Sequence, residues 1–431
     1  MTRFFLAAFA IVAAGCGSAG STGHGAGDPS FGGGGGSGGS GGGAESGGVV
    51  GDGGSGGQGG AGILTAGAWD DNDNFDFYLG YLAASEADSA MVAAGLPAVP
   101  RADRMSIAIV DGDGVPYGGA DVTITDGNGV SFRTISGADG RVLFFPSWYG
   151  ATGALTVTAT AAGVTATATA TSGDASATVQ LAGVHAAAPG AIDVALVIDT
   201  TGSMGDELSY VTAELEAITS AVQSTFPGVD QRWALVVYRD EGQGDEYDVR
   251  SFPFTNDAAA MRQTLSEQSA GGGGDYPEIP DRGLATAAQL SWRGGNVARL
   301  AFLIADAPCH PGRQQKFLDA VAQLRGLGVH IYGVGASGVD EVAEYQFRGA
   351  SELSGGRYLF LTDDSGVGGP HKEPTLPCYL VTKLNQQIVR MIAMELSGTH
   401  IDPAPGDIIR TGGDPTDGRC TLDGGVVVSA Y

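Results

Sequence analysis

Basic residues are scarce in this chain: 22 Lys and Arg stand against 48 Asp and Glu, a formal charge of −26 over 431 residues. A surface of that sign has nothing with which to neutralise phosphate, which excludes nucleic acid and electrostatic adhesion to anionic lipid. Long apolar runs are missing as well. The stretch Phe4 to Ala14 is too short to span a bilayer, and no later run reaches the roughly 20 residues a crossing helix needs. Membrane attachment therefore has to come from a lipid. Catalytic signatures are absent too: no His-Glu-x-x-His, paired-glutamate or Ser-His-Asp arrangement occurs. His310 is the best candidate for a base and has no such companions, so the chain is not expected to be an enzyme. Cysteine is limited to four residues, an odd three once Cys16 is set aside.

What is present divides the chain into segments. Residues 1–15 read as a secretion signal, with Arg3 ahead of an apolar stretch. They lead into Ala13-Ala14-Gly15-Cys16, which resembles a bacterial lipobox with alanine at the usual leucine position. That predicts a lipid on Cys16 and an exported protein anchored at the bacterial outer membrane or cell surface, since Gly17 and not aspartate follows the cysteine. Residues 16–62 are mostly glycine and serine, a flexible tether with a coil dimension of roughly 35–40 Å.

Residues 63–100 mix acids with aromatics around Trp69-Asp70-Asp71-Asn72-Asp73-Asn74-Phe75-Asp76. One reading is a calcium loop, although the glycine and terminal glutamate of an EF-hand are missing. The other is that Trp69, Phe75, Phe77 and Tyr78 dock the segment onto a neighbouring domain. Residues 101–184 show seven short strands between turn signals such as Asp111-Gly112 and Asp126-Gly127, with Thr/Ala alternation of period two near Val164. They are expected to form an all-β sandwich, and Val115 to Ile124 with Gly137 to Val142 resembles the carboxypeptidase regulatory-like, transthyretin-like class of spacer modules.

The remaining segment carries the chemistry. Val194 to Ile198 is a buried-strand run ending in Asp199-Thr200-Thr201-Gly202-Ser203, before a helix with apolar residues at Leu208, Val211, Leu215, Ile218 and Val222. Asp199, Thr201 and Ser203 offer alternating oxygen ligands of the kind a hard cation takes. The helix N-terminus repels a cation, so further carboxylate is needed. A second strand supplies it, ending at Asp306 in Ile304-Ala305-Asp306-Ala307-Pro308, and the glycine-rich loop Gly271 to Glu278 offers Asp275 or Glu278. Loops leaving the carboxyl ends of adjacent parallel strands form such a crevice.

These three motifs, in this order, resemble a von Willebrand factor type A domain with a metal-ion-dependent adhesion site, over residues 190–398. The wording of Tyr238-Arg239-Asp240 and of Asp306 to His310 is nearest the hemicentin-like and alpha-kinase-associated branch. The resemblance implies a doubly wound α/β fold on a mostly parallel six-stranded sheet. It places Asp199, Thr201, Ser203 and Asp306 on the family's metal positions, and this chain offers Asp275 where many members have threonine. The expected ion is divalent, Mg²⁺ first, with Ca²⁺ or Mn²⁺ also compatible. The expected partner is a protein ligand presenting an Asp or Glu side chain; the alternative is an envelope scaffold in which the metal only staples loops. A helix is expected from Leu380 to Leu396, residues 399–431 read as a tail with one short strand, and a Cys309–Cys378 disulfide is compatible with an oxidising compartment.

Overall fold

The computed structural model describes residues 64–96, 101–242, 244–366 and 371–431. The signal, Cys16 and the tether lie outside the described residues.

Near-continuous apolar runs form the middle of the main sheet because strands covered on both faces have no polar side to show. The sheet contains β1 (Thr65–Trp69), β2 (Ala191–Asp199), β3 (Asp230–Tyr238), β4 (Val249–Thr255), β5 (Ala298–Ala305), β6 (His330–Gly335), β7 (Tyr358–Thr362), β8 (Tyr379–Lys383) and β9 (Arg410–Gly412). Their spatial order is β4-β3-β2-β5-β6-β7-β1-β8-β9. From β3 to β7 neighbouring strands are parallel; β4, β1, β8 and β9 pair antiparallel to their neighbours. The sheet is thus nine-stranded and mixed, which corrects the expected six mostly parallel strands.

Helices cover both faces. The helices Pro280–Ala287, Gln314–Gly326 and Glu341–Ser354 share one core with the sheet, and Gly205–Thr225, Ala258–Ser266 and Leu384–Ser397 share the other. The last of these begins at Leu384, because Leu380 to Lys383, expected to open the helix, belongs to strand β8.

The acidic, aromatic segment is built into this sheet. β1 slides between β7 and β8, antiparallel to both, and Gly67 makes room for it: a Cβ there would lie 2.3 Å from the Phe360 ring. The following acids are taken up by the protein itself. Asp71 receives a two-pronged hydrogen bond from buried Arg348 at 3.0 and 2.7 Å, Asp70 faces Arg357 at 2.8 Å, and Asp73 accepts from the Tyr431 hydroxyl. Trp69 and Tyr78 are wholly buried.

Residues 105–181 form two small sheets over one core that includes Ile107, Ile124, Leu155, Val157 and Val179. This unit sits at the amino ends of the parallel strands. Asn296 donates to Ala187 O at 2.8 Å and Thr134 to Arg325 O at 2.6 Å. Arg325, at the end of its helix, is packed over Phe132, Phe145 and Trp148, at 4.8, 5.1 and 5.0 Å. Burying the guanidinium against ring faces and Leu143 O offsets its lost hydration.

The disulfide joins Cys378 to Cys420, correcting the Cys309–Cys378 pairing. Cys420 is carried by a hairpin, Arg419–Thr421 with Val427–Ser429, folded beside the start of β8. Cys309 is buried and free, with Gln346 donating to its sulfur at 3.1 Å.

Candidate metal centre

The carboxyl ends of β2 and β5 lie side by side, since these strands pair in parallel through Ile198 and Ile304. Asp199 and Asp306 follow that pairing, so both carboxylates stand on one sheet edge. Both are buried, at 0% and 4% exposure. The loop after Asp199 folds back on it: Asp199 Oδ1 accepts from the Thr201 amide at 2.8 Å and the Thr201 hydroxyl at 2.7 Å. The Thr201 and Ser203 hydroxyls are 3.2 Å apart, and Thr201, Ser203 and Asp306 line one cleft. Asp199, Thr201 and Ser203 are thus linked by hydrogen bonds along one loop, with Asp306 on the adjacent strand end. The helix behind buries the apolar face expected of it, from Leu208 to Val222.

The glycine-rich loop closes a third side. Gly271 N donates to Thr200 O and Gly202 N to Gly272 O, at 3.0 and 3.3 Å. Gly273, with φ of +80°, passes so close that a Cβ would lie 2.9 Å from Glu278 Oε1 and 3.2 Å from Thr201; no side chain fits that approach. The two acids of the loop part company here. Glu278 is 5% exposed, while Asp275 is exposed on the rim. Glu278 is fixed by its backbone, which donates to Pro308 O at 2.9 Å and accepts from His310 N at 3.2 Å.

The electrostatics are those of crowded acids withdrawn from water. Burial, and then Asp306, push the Asp199 carboxyl up to about 8. Burial, then Asp199 and Asp240, push Glu278 up to about 9, and burial raises Asp306. Asp199 Oδ2, Glu278 Oε2 and Asp306 Oδ1 are buried without a hydrogen-bond partner among the described residues. Such orphaned carboxylate oxygens are costly unless something positive meets them. The residues therefore fit a hard divalent cation, with Asp199, Thr201, Asp306 and Glu278 as buried oxygen donors and Ser203 as an exposed one at the mouth of the cleft. They open on a cleft of about 560 Å³, with Asp275, Tyr276 and Gly338 on its lining.

Two features escaped the sequence reading. Asp240, completely buried at the end of β3, is 2.5 Å from His310 Nε2. This pairing gives His310 a partner, and the only signal for it was the apolar run preceding Asp240. Asp111, Asp113 and His185 bring ligand atoms within 4.8 Å of one another, an arrangement compatible with a divalent cation. Asp111 there already accepts from the Asp113, Val115 and Ala186 amides, each at 2.9 Å.

The von Willebrand factor A domain family model matches residues 193–359. The alpha-protein kinase vwkA of Dictyostelium discoideum is 28% identical over 134 residues, 30% of this chain and 20% of that protein. The chain thus matches about a fifth of the length of that curated relative. Similar solved structures include BatB from Bacteroides thetaiotaomicron, at 14% identity and a TM-score of 0.34, covering 47% of this chain and 98% of that one. Another is the pilus adhesin SpaC from Lactobacillus rhamnosus GG, at 13% identity and a TM-score of 0.30, covering 47% and 29%.

Proposed function

Given a von Willebrand factor A domain over residues 193–359, we propose that this is a cell-envelope binding protein. Its metal centre captures a protein ligand through that ligand's Asp or Glu side chain. The observation that carries the reading is the set of orphaned buried oxygens on Asp199, Glu278 and Asp306 at the floor of an open cleft. An ion held there by protein oxygens on its inner side faces solvent on the other, where an outside carboxylate can replace water. Mg²⁺ is the proposed ion, and Ca²⁺ and Mn²⁺ suit the same donors. The reading is non-catalytic: His310 is engaged by Asp240, and oxygen ligation leaves a bound water far less acidic than nitrogen-ligated zinc does.

The Cys378–Cys420 disulfide supports an oxidising compartment, in keeping with export and a lipid on Cys16. Cys16→Ser should move the protein from membranes to the soluble fraction; a wild-type protein already soluble with a free mature N-terminus contradicts the anchor. A second reading, an envelope scaffold with a purely structural ion, is favoured by Glu278, since a third buried carboxylate weakens the ion's pull on an outside one. Peptides selected on the immobilised full chain in Mg²⁺ separate the two. Ligand capture predicts that their binding is lost in EDTA and when their Asp or Glu is amidated. Equal binding in EDTA by folded protein favours the scaffold.

A further inference from the structure

The charges lining the cleft over the metal centre are of one sign. Asp275, Glu278 and Asp306 line it, and among the described residues no Lys, Arg or His does. Beside it, Asp245 accepts from the Gly273 amide at 3.0 Å and Asp340 from the Ala343 amide at 2.8 Å, and neither meets a Lys or Arg among the described residues. A ligand's lone Asp or Glu therefore approaches through a field of its own sign, toward an ion on whose charge three buried carboxylates already draw. Such juxtaposition of like charge costs affinity and slows encounter, and a cation carried on the same ligand segment offsets both.

One residue of the lining is suited to receive that cation. Among the described residues Tyr276 is the one aromatic side chain left largely exposed, at 47%. Its hydroxyl is taken up by backbone: it accepts from Asp340 N at 3.3 Å and lies 3.4 and 3.5 Å from Asp306 O and Gly338 O. These contacts tie the residue to the loop that carries Asp306 and to the loop from Gly338 to Asp340, which leaves the ring as the part a ligand can meet. An exposed phenol ring next to a carboxylate that has no cationic partner attracts an ammonium or guanidinium through its π face. The protein makes the same contact internally close by, where Arg239 and Arg250 lie over the Tyr247 ring at 4.6 and 4.0 Å. Among the described residues no Arg or Lys of the chain covers Tyr276 in this way.

We propose that the protein segment captured at this cleft carries a lysine or arginine close to its metal-binding Asp or Glu, and that the cation seats on the Tyr276 ring beside Asp340. This rests on ligand capture at the metal centre and adds the chemistry of the captured segment. The probes are short capped peptides with one central Glu in a Gly and Ser background and one further position, varied along the peptide, set to Arg, Leu or Asp. They are titrated in Mg²⁺ and in EDTA against the full chain carrying Cys16→Ser, which keeps it free of lipid. In Mg²⁺ the best Arg peptide should bind about fivefold tighter than its Leu counterpart, and the Asp peptide should bind weakest. Tyr276→Leu and Asp340→Asn should each bring the ratio of Arg to Leu affinity toward one; the asparagine can still accept from the Ala343 amide. Metal-dependent binding that is equal for Arg and Leu peptides, or an Arg preference that survives both variants, overturns the proposal and leaves ligand capture standing. Peptides that bind equally in Mg²⁺ and EDTA, or not at all, overturn both.

Discussion

At Asp199, Glu278 and Asp306, burial removes water from acids that meet one another before they meet any cation. The sign of the consequence is fixed. Each carboxyl is raised above its ordinary value, so in the cation-free protein its stabilising share is complete below about pH 4 and is lost as pH climbs through about 8 for Asp199 and about 9 for Glu278. A divalent ion takes the ionised forms, so its affinity should rise over the same window with release of protons. Melting temperatures from pH 5 to 9 should therefore fall in EDTA and hold in Mg²⁺, the gap widening with pH; parallel curves contradict the electrostatics. Glu278→Gln should weaken the ion about tenfold and Asp275→Asn much less, because one acid is buried and the other exposed. Asp199, Thr201 and Ser203 were legible in the sequence because one loop carries them at alternate positions. That Glu278 is buried and Asp275 exposed was not, since three glycines with positive φ, Gly272 to Gly274, let the loop run along a path no side chain specifies.

Among the elements, the parallel strands were readable because burial on both faces demands unbroken apolar runs such as Val194 to Ile198. β1 was hidden for the opposite reason. Its Thr-Ala-Gly-Ala-Trp sequence is short and small, and it is a strand only because Tyr358–Thr362 and Tyr379–Lys383 leave a slot between them. β8 was absorbed into the helix after it, whose apolar periodicity extends backward through Leu380. Gly67→Ala tests how tightly the slot is cut. The added methyl meets the Phe360 ring, and overpacking of this kind costs about 1–3 kcal/mol, to be read from chemical denaturation; an unchanged midpoint means the ring yields freely. The 42-residue separation closed by Cys378–Cys420 corresponds to about 4 kcal/mol in the chain-entropy picture. The Cys378→Ser, Cys420→Ser double variant should lose stability of that order, and Cys309→Ser should leave the bond intact.

At the scale of the whole molecule, the two ends of the parallel strands have different work. The carboxyl ends of β2 and β5 carry the candidate metal centre, and the amino ends meet the smaller β unit through Asn296, Gly328 and Arg325. The most direct test of the central claim is calorimetric titration of Mg²⁺ and Mn²⁺ into the full chain, into Asp199→Ala and into Asp113→Asn. The account predicts that Asp199→Ala, still folded, loses the tightest divalent site and that Asp113→Asn keeps it. Unchanged tight binding by Asp199→Ala, or its loss in Asp113→Asn, contradicts the placement of the ion between Asp199 and Asp306.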